Sequence, residues 1–265
     1  MSSEVKFAGF GATHFGKRSH NEDAYFIDDT LGLYIVADGV GGQDAGEIAS
    51  QIVCDVIADR VRAGEALYDA VRDAHFAIAN AVSRGEGRPG MASTVVALLI
   101  RGDLYEIAWL GDSRAYLWDG QLKLLSRDHS LVETLLSQGE IGLDEARSHP
   151  KKNVILAALG GGDINIPIGQ NAGVLRSGTK FMLCSDGLTD VVEPKRIAKY
   201  FVDGIAVDKI AEYLVEDAVA ANGRDNITAI VVDVASSPNE GSQQQDHADV
   251  VRTYDPLSDT YTYHP

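Results

Sequence analysis

The sequence predicts an α+β protein with largely antiparallel sheet. Short apolar runs are joined by turn signals, Arg101-Gly102-Asp103 and Trp118-Asp119-Gly120-Gln121, that mark hairpins. Helical periodicity comes in pairs of helices rather than one helix per strand. From Val5 to about Val234 the apolar pattern runs without a linker, so one large domain accounts for most of the 265 residues.

The elements follow in chain order. Leu33–Ala37 is a β-like run. Ala45–Arg62 reads as a helix with Ile48, Ile52, Val53, Val56, Ile57 and Val61 on one face, and Leu67–Ser83 as a second with Leu67, Val71, Ala74, Ile78 and Val82. Three strands follow, Ser93–Ile100, Tyr105–Leu110 and Ala115–Trp118. In the stretch from Arg127 to Asn153, R-D-H-S-L-V-E opens with an Asp/Ser cap signal and its helix stops at Gly139. Strand Lys180–Ser185, helices at about Pro194–Phe201 and Val207–Ala221, and strand Thr228–Val234 complete the domain. Residues 236–265 have no apolar period and carry five acids against one base, which predicts a disordered acidic tail.

Lys plus Arg number 23 and Asp plus Glu 39, a net charge of −16. A nucleic-acid binder carries a basic face, and this balance argues against one. The 45% hydrophobic content argues equally against a disordered acidic chain. No apolar run approaches the roughly 18 residues of a membrane span, and M-S-S-E-V-K-F-A-G-F does not read as a leader. Cys54 and Cys184 each sit in an apolar run, as reduced core thiols do. The expectation is a cytoplasmic protein whose carboxylates need a purpose.

Three apolar strands stop at an aspartate: L-Y-I-V-A-D-G at Asp38-Gly39, Y-E-I-A-W-L-G-D at Asp112, and K-F-M-L-C-S-D-G at Asp186-Gly187. A fourth, I-T-A-I-V-V-D-V, is preceded by Arg224-Asp225-Asn226. Singly, each Asp-Gly is a turn signal. Together on one sheet system they gather carboxylates at a rim, where they raise one another's pKa unless a cation sits among them. Aspartates with carbonyls and water suit Mg²⁺ or Mn²⁺, and no His/Cys spacing suggests zinc. Arg18, five residues before Asp23 in R-S-H-N-E-D, would serve there as a bidentate phosphate clamp.

R-S-H-N-E-D (Arg18–Asp23), V-A-D-G-V-G-G (Val36–Gly42), G-D-S-R (Gly111–Arg114), S-D-G-L-T-D (Ser185–Asp190) and D-N-I-T (Asp225–Thr228) occur in that order. In this the chain resembles the bacterial metal-dependent serine/threonine protein phosphatases of type 2C, over about residues 5–235. The resemblance implies a four-layer α-β-β-α sandwich with two central antiparallel sheets, a catalytic domain over 1–235 and a flap at about 127–153. It implies two or three Mn²⁺ or Mg²⁺ ions. Asp38 would bridge two, Gly39 would lend its carbonyl, Asp186 and Asp225 would complete the pair, and Asp23 would hold metal-bound water. Asp112 and Asp190 match a third metal position, and Arg18 the phosphate-binding arginine. Phosphorylated proteins would be the substrates, in opposition to a bacterial Ser/Thr kinase, with the protein a monomer.

One position departs from the eukaryotic pattern. Val40 stands where those enzymes carry a histidine assigned as general acid, so that role has no residue here. Two rivals stay open: a pseudophosphatase that binds phosphoproteins without turnover, and a hydrolase of non-protein phosphate esters. A nucleophilic cysteine is disfavoured, because the residue six after Cys184 is Asp190 rather than the arginine of a C-x5-R loop.

Overall fold

The computed structural model describes residues 6–42, 45–162 and 164–235, and the backbone of 251–255 and 260–264. The strands are β1 (Phe7–His14), β2 (Asp23–Asp28), β3 (Leu33–Val40), β4 (Ala92–Ser93), β5 (Val95–Arg101), β6 (Leu104–Leu110), β7 (Arg114–Trp118), β8 (Leu122–Leu124), β9 (Gly169–Val174), β10 (Lys180–Cys184), β11 (Ile227–Val234), β12 (Val251–Asp255) and β13 (Thr260–His264). The helices are α1 (Ala45–Arg62), α2 (Leu67–Ser83), α3 (Leu131–Ser137), α4 (Leu143–Ser148), α5 (Asp186–Thr189), α6 (Pro194–Val202) and α7 (Val207–Ala220).

One sheet runs β1-β11-β10-β7-β8-β13-β12 and the other β2-β3-β5-β6-β9, with β4 on β3. The pairings are antiparallel, as the hairpin signals predict.

Three apolar layers give the four-layer sandwich. Alternate residues of the central strands enter different layers. In β3, Leu33, Ile35 and Ala37 face α1 and α2, while Tyr34 and Val36 enter the layer between the sheets. In β11, Ile227, Ala229 and Val231 pack with α6 and α7, and Ile230, Val232 and Val234 face inward. Strands buried on both faces read as unbroken apolar runs, which is why these were visible in the sequence. Cys54 and Cys184 are buried in separate layers and are free thiols.

Several details differ from the sequence expectation. The buried stripe of α1 is centred on Ala49, Val53, Ile57 and Val61, and Ile48, Ile52 and Val56 lie partly buried on its flank. The expected strand over 93–100 is broken at Thr94, whose N–H donates to the Asp38 carbonyl at 2.8 Å. Ser185 lies beyond β10 and precedes α5, a short helix the periodicity did not show. Strands β1, β2, β8 and β9 were not anticipated. Within the tail expected to be disordered, β12 and β13 form a hairpin whose Tyr261 pairs with Leu122 of β8. The alternation V-R-T-Y-D and T-Y-T-Y-H has the β-branched and aromatic content of strands. The rest of 236–265 lies outside the described residues.

Candidate metal centre

All the strand ends that carry the predicted aspartates open on one rim. Asp23 begins β2 and Asp38 lies near the end of β3, and the two are direct cross-strand partners. Asp112 sits in the turn between β6 and β7. Cys184 pairs with both Arg114 of β7 and Ala229 of β11, so Asp186 and Asp225, just outside those strands, flank the same edge. Gly39 is required here by close approach. A Cβ on it would lie 2.0 Å from the Gly46 carbonyl oxygen at the start of α1. Gly187 is held likewise, 2.0 Å from the Asn226 carbonyl oxygen.

The carboxylates feel one another. Burial, and then Asp23, Asp186, Asp112 and Asp225, push the Asp38 carboxyl well above its usual range. Burial followed by Asp112, Asp190, Asp225 and Asp23 does the same to Asp186. Asp112 is pushed up to about 7, first by burial and then by Asp128. Asp23 is raised to about 6 by burial, against hydrogen bonds that favour its ionised form. Those bonds come from Ser185 Oγ at 2.8 Å and Thr228 Oγ1 at 2.6 Å, both to Asp23 Oδ2. Among the described residues, two buried side-chain polar atoms have no hydrogen-bond partner, and both are in this cluster: Asp23 Oδ1 and Asp186 Oδ1. Orphaned buried oxygens on mutually repelling carboxylates fit a cation, the donor chemistry that Mg²⁺ or Mn²⁺ prefers.

Side-chain cations already touch the edges of the cluster. Arg18 Nη2 is 2.7 Å from Asp225 Oδ2, and Lys152 Nζ is 2.8 Å from Asp190 Oδ1. Among the described residues, no group of three or more His, Cys, Asp or Glu side chains is placed to hold a metal ion. The eight predicted residues thus share one rim, with the outermost carboxylates paired to bases.

Sequence reasoning missed the residues that position them. Asn226 donates Nδ2 to the carbonyls of Phe15 and His20 at 3.1 and 2.8 Å and accepts from the Glu22 N–H at 2.8 Å. It therefore holds the exposed loop that presents Arg18. Thr94 bridges to Ser113, with Oγ1 and Oγ 2.8 Å apart, and so joins the backbone of Asp38 to the turn of Asp112. Asn226 and Ser185 lie inside motifs already noted, but nothing local marks them as braces. Two of the histidines are packing groups: His14 stacks on Phe15 at 4.5 Å, and buried His75 accepts from the Gly160 N–H at 3.1 Å.

The predicted flap holds α3 and α4. Ser130 caps α3 by accepting from the Glu133 N–H at 3.3 Å, as the cap signal foretells. A cleft of about 830 Å³ separates the flap from α5 and α6, with Asp112, Asp186 and Asp190 on its wall. No helix of the described residues is long and apolar enough to cross a membrane.

A family model for protein phosphatase 2C matches residues 10–213. The serine/threonine protein phosphatase PstP of Mycobacterium tuberculosis is 36% identical over 227 residues, 82% of this chain and 43% of that protein. This chain therefore spans less than half of that relative's length. The serine/threonine phosphatase stp of Listeria monocytogenes is 31% identical over 82% of this chain and 91% of its own length. The crystal structure of the PstP catalytic domain in complex with two manganese ions superposes with a TM-score of 0.78 at 32% identity, covering 88% of this chain and all of that one. Motifs, layered fold and relatives agree, and the chain belongs to the protein phosphatase 2C family.

Proposed function

We propose that this chain hydrolyses phosphoserine and phosphothreonine in proteins with the help of two or three Mn²⁺ or Mg²⁺ ions. The observation that carries the reading is the aspartate rim with its orphaned oxygens on Asp23 and Asp186. The manganese pair in the related PstP domain supports the choice of ion. Asp38, the Gly39 carbonyl, Asp186 and Asp225 would hold two ions, and Asp112 and Asp190 a third. Bound there, divalent ions supply Lewis acidity toward phosphoryl oxygens and acidify water for in-line attack.

The chain's own residues do the rest. Ser185 and Thr228 fix Asp23 through Oδ2 and leave Oδ1 free to accept from an attacking water. Arg18 is exposed and carries a forked guanidinium, so it can exchange Asp225 for a phosphate without crossing the core. Val40 brings no proton donor to the leaving alcohol, so protonation falls to solvent or to a carboxylic acid of the rim. Phosphoproteins of a Ser/Thr kinase pathway would be the substrates, acted on in the cytoplasm by a monomer. The full set of aspartates weighs against a pseudophosphatase.

The test is phosphate release from a phosphothreonine peptide, with Mn²⁺ and then with EDTA. We expect activity with the metal and none with the chelator. Turnover that persists in EDTA would overturn the reading.

A further inference from the structure

One end of the carboxylate rim is neutralised by the chain itself. Lys152 Nζ lies 2.8 Å from Asp190 Oδ1, and the next residue, Asn153, donates Nδ2 to Asp190 Oδ2 at 2.9 Å. Both oxygens of Asp190 are thus engaged by the last residues of the flap. The same carboxylate acts electrostatically on Asp112 and Asp186. Asp186 Oδ1 beside it is buried and unpartnered. The three aspartates, Lys152 and Asn153 line one continuous cleft.

We propose that Lys152 is an intramolecular counter-cation: its ammonium and a divalent ion at Asp112, Asp186 and Asp190 compete for Asp190, and filling that position releases the 152–153 end of the flap. The proposal rests on the cation-binding reading above. The Lys152–Asp190 pair is about one-third exposed on both sides (36% and 32%), so it is a weak, reversible tie. A divalent ion carries twice the charge of the ammonium and can engage the Asp186 oxygen that Lys152 leaves unpaired. Linkage makes the relation reciprocal: the free energy with which Lys152 holds the flap is subtracted from the ion's affinity. The outer ion position is therefore weaker than it would be without Lys152, and ion concentration sets how far the flap is tethered to the rim.

The experiment titrates the full chain with Mn²⁺ by calorimetry and follows hydrogen exchange of residues 127–153. The wild-type chain should show tight sites and a weaker one. Lys152→Ala should strengthen the weaker site by about two- to fivefold, the reach of a partly exposed ion pair, and leave the tight sites unchanged. Lys152→Arg should keep the wild-type isotherm. Saturating Mn²⁺ should speed exchange in the wild-type flap, and Lys152→Ala should exchange fast without it. A weak site insensitive to Lys152→Ala, or a flap whose exchange ignores Mn²⁺, overturns this inference alone. Absence of Mn²⁺ binding to the wild-type chain overturns both it and the reading beneath it.

Discussion

Asp23 and Asp38 face each other across a β-ladder, where like charges destabilise. Asp38→Asn removes that repulsion together with the proposed bridging ligand. We expect turnover to drop by more than about a hundredfold while the melting temperature in EDTA at pH 8 rises. A variant that stays active would remove Asp38 from the centre. Gly187 tests the backbone instead. A Cβ there would lie 2.0 Å from the Asn226 carbonyl oxygen, which cannot rotate away. Gly187→Ala should cost about 1–3 kcal/mol in chemical denaturation, the usual range for overpacking. The aspartates were legible because an apolar strand that stops at Asp is a local signal. Ser185 and Thr228 were not, because their hydrogen bonds to Asp23 span 162 and 205 residues and exist only once three strands meet.

At the level of elements, two of the missed strands, β1 and β9, share a cause. In β1, a Cβ on Gly9 would lie 2.4 Å from Tyr34 Cε1, and one on Gly11 2.6 Å from Tyr25 Cε2. In β9, Gly169 and Gly173 make the same room for Trp109 and Tyr105. Each strand turns glycines toward aromatic rings of a neighbour, so the apolar alternation is carried by the partner and vanishes from its own sequence. The loop before β2 depends on one brace. Asn226→Ala deletes three hydrogen bonds to residues 15–22. It should raise KM for a phosphopeptide through Arg18 and lower stability by about 1–3 kcal/mol, measured by steady-state kinetics and urea unfolding. The tail hairpin meets β8 at one register pair. Truncation after Val234 should therefore leave peptide hydrolysis intact, and loss of folding would assign the hairpin a structural role.

Across the whole molecule, the charge of −16 divides into parts. Residues 236–265 carry five acids and one base, a net of −4, which leaves −12. The six rim aspartates bring the remainder to −6. Folding without metal must bear this local excess. Asp23 and Asp112 titrate at about 6 and about 7 in the folded protein, against an ordinary 3.8. Between those values the folded state holds more protons than the unfolded state. Their contribution is complete below about pH 4 and is lost as the pH rises through about 7. In EDTA the melting temperature should fall from about pH 5 to about pH 8, and saturating Mn²⁺ should flatten the slope. A rise over that interval would mean the carboxylates are neutralised by other means.

The cross-strand pairing of Asp23 with Asp38 has one more consequence. Slipping β2 by a single residue against β3 would turn Asp23 to the opposite face of the sheet. The ladder register is therefore the ruler that spaces these two carboxylates. Ions that bind only the correct spacing would act as proofreaders of assembly, rewarding the one alignment that is also competent for chemistry.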